Sequence, residues 1–269
     1  MKKMRKLLPA VAMLLLSAVL MSTASFAWFA TNTTAVANGF NIQVAAAKNL
    51  LIKDSTASDY KSSVVYEASD VEANKKNLKP ASTDPSTVTA TVAPVFYSVA
   101  DAGDMDPDSY AAAADTTFAA TTDNYITKTV HLNATGEYDE GKTAFGNVNA
   151  KITVGGATTS PVMPSLRILL VVKSGSGESA TCNTFLYAPI SGATATYKPV
   201  IGTAATNLGT EITTYSNDST AIITGMPKET QYTVDIYMWF EGQDASCKAT
   251  NAINLVSNSV TIDFNLVAA

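Results

Sequence analysis

The sequence is short of the residues on which most catalysis depends. It holds one histidine, His131, and two cysteines, Cys182 and Cys247, in 269 residues. Without a second histidine no H-E-x-x-H zinc helix can exist. A serine nucleophile would have only His131 as its imidazole base, and no G-x-S-x-G elbow accompanies it. No phosphate-binding glycine loop is expected either. In a strand, His131 faces opposite its apolar neighbours Val130 and Leu132, which suits a solvent-facing or pocket-lining side chain. Acids such as Asp235 and Asp263 would act as a pair on a glycosidic bond only if the fold brought them together. The expectation is a protein that is not an enzyme.

Charge is scarce as well, at 15% of the chain against 46% apolar residues, which is enough apolar material for a core. Four of the 18 basic residues, Lys2, Lys3, Arg5 and Lys6, stand in the first six positions, and no charge follows between Leu7 and Ala47. A basic head, a mostly apolar run from Leu7 to Met21 and the small-residue stretch Ser22-Thr23-Ala24-Ser25-Phe26-Ala27 are the parts of a secretory signal. Cleavage fits best after Ala27, with Ala24 as the other choice. A retained membrane helix competes with this reading. Against it, the solidly apolar part is shorter than the roughly 20 residues of a span and contains Pro9. Removal of residues 1–27 leaves 14 basic against 23 acidic residues, a net charge of −9. That balance repels phosphate backbones and anionic lipid. No nucleic-acid partner is therefore expected, and membrane contact is confined to the signal segment before cleavage. The expected location is outside the cell.

In an oxidising space, an even cysteine count favours a Cys182–Cys247 disulfide. It would close a loop of about 65 residues, worth about 4 kcal/mol if unstrained. Two separately buried thiols are the alternative. Neither cysteine has a second cysteine or histidine close in sequence, so the pair carries no metal-ligand spacing.

Long helical patterns are missing too, and two-residue alternation recurs along the chain. It marks Phe40 to Val44, Val64 to Tyr66, Thr127 to Leu132, Ala150 to Val154, Thr184 to Ile190, Thr220 to Thr224 and Val260 to Leu266 as strands. Leu166 to Val172 is apolar on both faces apart from Arg167, as a strand at the centre of a core would be. Gly225-Met226-Pro227 supplies a turn into the strongest strand, where Tyr232, Val234, Ile236, Met238 and Phe240 share one face. Tyr237 and Trp239 lie on its other face, either as exposed ligand contacts or packed against a second sheet. The expected fold is all-β, a β-sandwich of jelly-roll type. It forms a single domain over 28–269, with a loose Thr/Ala/Asp-rich insertion around 75–122 in which Val88 to Val99 has room for one or two strands.

One acidic run has calcium-loop spacing: Asp104, Asp106 and Asp108 alternate, and Asp115 falls where such a loop closes. Pro107 interrupts it, Ser109 replaces the turn glycine, and Asp115 is shorter than the usual Glu, so a solvated acidic loop competes with a calcium site. No other cofactor is expected.

The stretch Ala27-Trp28-Phe29-Ala30-Thr31-Asn32, a polar spacer, and then Gly39-Phe40-Asn41-Ile42-Gln43-Val44 resembles the N-terminus of the TasA/camelysin family of secreted Gram-positive proteins. Ala27, Trp28, Phe29, Asn32 and Gly39 occupy the family's places for a small residue, an aromatic pair, a polar residue and a strand-opening glycine. Trp239 to Asp244, with Cys247, looks like a near-C-terminal turn of clostridial members. The resemblance covers the two ends of the chain; Lys53 to Ser160 carries none of it. It implies processing by a SipW-type signal peptidase, a β-sandwich, and a place at the cell surface or in a biofilm matrix. It also implies self-association into fibres by donor-strand exchange, with Trp28 to Asn38 as the donor. That segment capping its own domain is the other reading. A monomeric module binding a surface glycan or protein is the alternative function, with Tyr237 and Trp239 as its contacts.

Overall fold

The computed structural model describes residues 41–46, 50–66, 78, 81–99, 118–122, 124–138, 141–156, 163–175, 180–190, 196–197, 212–213, 220–242, 244 and 259–267. The expected signal segment, the expected donor residues Trp28, Phe29, Asn32 and Gly39, the acidic run Asp104, Asp106, Asp108 and Asp115, and Cys247 lie outside the described residues.

Fifteen strands follow one another in the described chain. The first six are β1 (Asn41–Ala46), β2 (Leu50–Asp54), β3 (Ser63–Tyr66), β4 (Ser82–Thr83), β5 (Phe96–Val99) and β6 (Phe118–Thr121). Then come β7 (Ile126–Ala134), β8 (Asn147–Gly155), β9 (Leu166–Ser174), β10 (Thr181–Tyr187), β11 (Thr196–Tyr197) and β12 (Ile212–Thr213). The last three are β13 (Ala221–Ile223), β14 (Tyr232–Phe240) and β15 (Ser259–Val267). Two five-stranded sheets carry the architecture. The first has the order β13-β8-β15-β1-β3 and the second β10-β9-β14-β7-β2. Strands β4, β5 and β6 form a small third sheet, and β11 pairs with β12.

The main core lies between the two large sheets because alternation sends one face of each inward. Ile42, Val44, Ile152, Val260, Ile262 and Phe264 come from the first sheet, and Leu132, Ile168, Leu170, Val234, Ile236 and Phe240 from the second. All are buried. Each such side chain contributes about 1.5–3 kcal/mol on leaving water. The all-β sandwich expected from periodicity is therefore what forms. One pairing departs from an all-antiparallel jelly roll: β1 runs parallel to β15, with Ile42 opposite Val260 and Val44 opposite Ile262.

Strand β9 is buried along most of its length because it faces two cores. Leu166, Ile168, Leu170 and Val172 enter the main one. Leu169 and Val171 enter a second, which includes Ala81, Phe96, Leu186, Tyr237 and Trp239. The region around 75–122 is thus more than a loose insertion. Its described parts carry Ala81 and Phe96 onto the outer face of the second sheet, with Val88 packed against them. Phe96 meets Trp239 edge-on at 5.1 Å between ring centroids and stacks on Tyr125 at 4.1 Å.

The turn into β14 is fixed locally. Gly225 has φ +64, a conformation glycine adopts without strain, and its N–H donates to Asn147 Oδ1 at 3.0 Å. Met226 is buried and exchanges backbone hydrogen bonds with the segment before β8: its N–H donates to Gly146, and its carbonyl accepts from Phe145.

Candidate functional site

The candidate site lies at the corner where β2 ends. Asp54, the last residue of β2, stands opposite Val130 of β7. Beyond it β7 continues through Thr129, Lys128 and Thr127 with no β2 residue beside them, and on the facing sheet β3 is the outermost strand. An open cleft of about 570 Å³ lies between these elements.

Register shows why the cleft is polar. Leu50 and Ile52 of β2 point into the core, so Asp54 takes the next inward position. On β7, Ile126, Val130 and Leu132 point inward, and Lys128, opposite Ile236, falls on the same face. A carboxylate and an ammonium therefore occupy two positions that the strand pattern reserves for apolar side chains. Tyr66 lies between them, 7% exposed. Its hydroxyl donates to Asp54 Oδ2, and the Lys128 Nζ sits 4.7 Å from its ring centroid. The other carboxylate oxygen accepts from the Thr56 N–H at 2.8 Å and from the Thr56 hydroxyl at 2.5 Å. Burial pushes the Asp54 carboxyl up, but the hydrogen bonds from Thr56 and Tyr66 and the nearby Lys128 charge outweigh it. The group ends below its ordinary value.

No family model, curated protein or solved structure matches this chain.

Part of the outer face of the second sheet is polar. His131 stands between Lys53 and Thr233, its Nδ1 3.1 Å from the Thr233 hydroxyl. Burial, and then the Lys53 charge, lower its pKa below the usual imidazole value. Asp235 pairs with Lys173 at 2.9 Å and accepts from the Thr129 hydroxyl at 2.6 Å. Asp263 lies on β15 between the inward Ile262 and Phe264, hence on the outer face of the opposite sheet. The two acids therefore do not meet, and the glycosidase arrangement is not formed. Among the described residues no group of three or more His, Cys, Asp or Glu could hold a metal ion.

The structure bears on three further sequence features. Tyr237 and Trp239 are 8% and 0% exposed, enclosed by Phe96 and its neighbours, so neither offers a surface contact. The Tyr237 hydroxyl is pushed up to about 12 by burial, then by the Asp235 charge. Cys182 is a free thiol packed against the second core, so the Cys182–Cys247 bond is not formed in this structure. Burial raises its pKa. Thirdly, one run, Gly136 to Thr143, does spell G-x-x-x-x-G-K-[ST]. It joins β7 to β8 with no helix after it, and Glu137, Asp139 and Glu140 lie within it, so it lacks the helix N-terminus and positive field of a phosphate cradle.

The run from Trp239 to Asp244 has a structural role. Trp239 Nε1 donates to Glu241 at 3.1 Å, and Arg167 pairs with Asp244 at 2.6 Å, with both members of that pair buried. Arg167 also donates to the Pro164 carbonyl at 2.7 Å. Ala81 donates to Phe240 and accepts from Gly242, tying the segment before β4 to the end of β14. Sequence reasoning noticed Arg167 as an exception but not its partner, and it missed Asp54, Tyr66 and Lys128. The signal for Lys128 was present: two residues from Val130, it shares that residue's face in any strand.

Proposed function

We propose that this chain is a secreted, non-catalytic structural protein of the cell surface or biofilm matrix. Its subunits assemble into fibres through the segment Trp28 to Asn38. The observation that carries the reading is the aromatic–polar–glycine pattern from Ala27 to Gly39, which leads directly into β1. β1 is an interior strand, and the sheet it belongs to ends in the short strands β3 and β13, four and three residues long. A strand added to such an edge gains main-chain hydrogen bonds while its side chains fill pockets. Trp28 and Phe29 are the anchors. In this account export and signal removal come first, because only then is the arm free to reach another subunit.

A competition experiment tests the reading. A synthetic peptide of residues 28–38, added in excess to assembling protein, occupies the acceptor edge and shortens the fibres. Unchanged fibre length and number at saturating peptide would refute it. The monomeric binding module remains the second reading. Burial removes Tyr237 and Trp239 as its contacts, and the cleft beside Asp54 and Lys128 favours it instead.

A further inference from the structure

We propose that the cleft between β2, β3 and β7 is a binding site for a neutral, hydroxyl-rich ligand, a short oligosaccharide or similar polyol. The inference stands apart from fibre assembly and uses none of the N-terminal segment.

Its basis is the pair of charges at inward positions. A core strand gains nothing from Lys128 or Asp54, since placing charge where Ile or Val would be buried forfeits apolar burial. Here the residues around them line an open cleft of about 570 Å³, a volume within the range of small-molecule sites. The lining holds one acid and one base, so their charges cancel and no strongly charged ligand is selected. The lining sets an acceptor and a donor on either side of one aromatic ring. The carboxylate is fixed in place by Thr56 and Tyr66, and the ammonium by the Tyr66 ring. A vicinal diol satisfies such a pair: one hydroxyl donates to Asp54 and its neighbour accepts from Lys128. The exposed Ser55 and Thr56 flank the acid, and Val64 offers methyl surface to ring C–H groups. An extended peptide fits less well. The β7 edge facing the cleft spans only Thr127 to Thr129, and the Thr129 carbonyl already accepts from the Ser55 N–H at 3.0 Å.

The experiment titrates the whole protein with cellotriose, mannotriose and chitotriose, and separately with a β-forming Thr-Val hexapeptide, by calorimetry and by amide chemical shifts. At least one trisaccharide is expected to bind with micromolar to millimolar affinity, shifting amides at 54–56, 64–66 and 127–129. Lys128→Gln and Asp54→Asn are each expected to weaken it at least about tenfold. The wild-type shift map locates the site even if a variant fails to fold. Three results would overturn the proposal. They are no trisaccharide binding up to about 10 mM, shifts elsewhere or affinity unchanged in folded variants, and binding of the peptide in preference to every sugar. The first would leave Asp54 and Lys128 as inward charges that only discourage edge pairing.

Discussion

Replacing Trp239 with alanine tests the second core directly. The indole is 0% exposed, meets Phe96 edge-on at 5.1 Å, packs among Leu169, Val171 and Leu186, and donates from Nε1 to Glu241 at 3.1 Å. Truncating a buried aromatic to alanine costs about 3–5 kcal/mol through lost transfer energy and the cavity left behind. The edge-on ring contact alone accounts for about 0.5–1.5 kcal/mol of this, and the hydrogen bond for about 1 kcal/mol. Trp239→Phe keeps most of the apolar area and loses the donor, so about 1–2 kcal/mol is expected. Urea unfolding followed by circular dichroism reads both values as a lower midpoint at unchanged slope. For a chain of this size the alanine variant should melt roughly 6–20 °C lower. A loss below about 1 kcal/mol for Trp239→Ala would mean that the small sheet does not seal this face.

Other outcomes follow from single positions. Gly225→Ala forces a Cβ into a left-handed conformation at φ +64, although the nearest atom is 3.9 Å away, and should cost about 1 kcal/mol of stability from backbone strain alone. Asp54 has a depressed folded-state pKa, so its contribution is present above the ordinary value of 3.8 and is lost as pH falls through the folded value. Asp54→Asn should flatten that acid limb in a pH series of unfolding midpoints. His131, the single imidazole, should titrate below 6.5 by proton NMR; because the folded site disfavours its charge, stability should fall as pH drops below that value. In a Cys247→Ser background, Cys182 should react with a disulfide reagent near neutral pH much more slowly folded than unfolded, since burial raises its pKa.

The sandwich was legible because its strands alternate cleanly. Val260, Ile262 and Phe264 read as inward from sequence, and all three are buried in the main core. The run from Leu166 to Val172, apolar apart from Arg167, announced a strand covered on both faces, but not what covered it. The cover comes from Ala81 and Phe96, in a stretch whose Pro, Thr and Asp content argues for loops. Tertiary contact with Trp239 and Leu169 there outweighs the local preference for loop. The same blind spot hid the burial of Tyr237 and Trp239, since alternation says which face a residue takes and not whether that face meets solvent. Sequence pattern also hid the cleft, because Asp54 and Lys128 are separated by more than 70 positions and meet only through the pairing of β2 with β7.

Electron microscopy of two purified proteins, residues 28–269 and residues 39–269, tests the fibre account most directly. Fibres from the longer protein and dispersed particles from the shorter one are the predicted result. Fibres of equal number and length from the protein that begins at Gly39, or none from either, would contradict it.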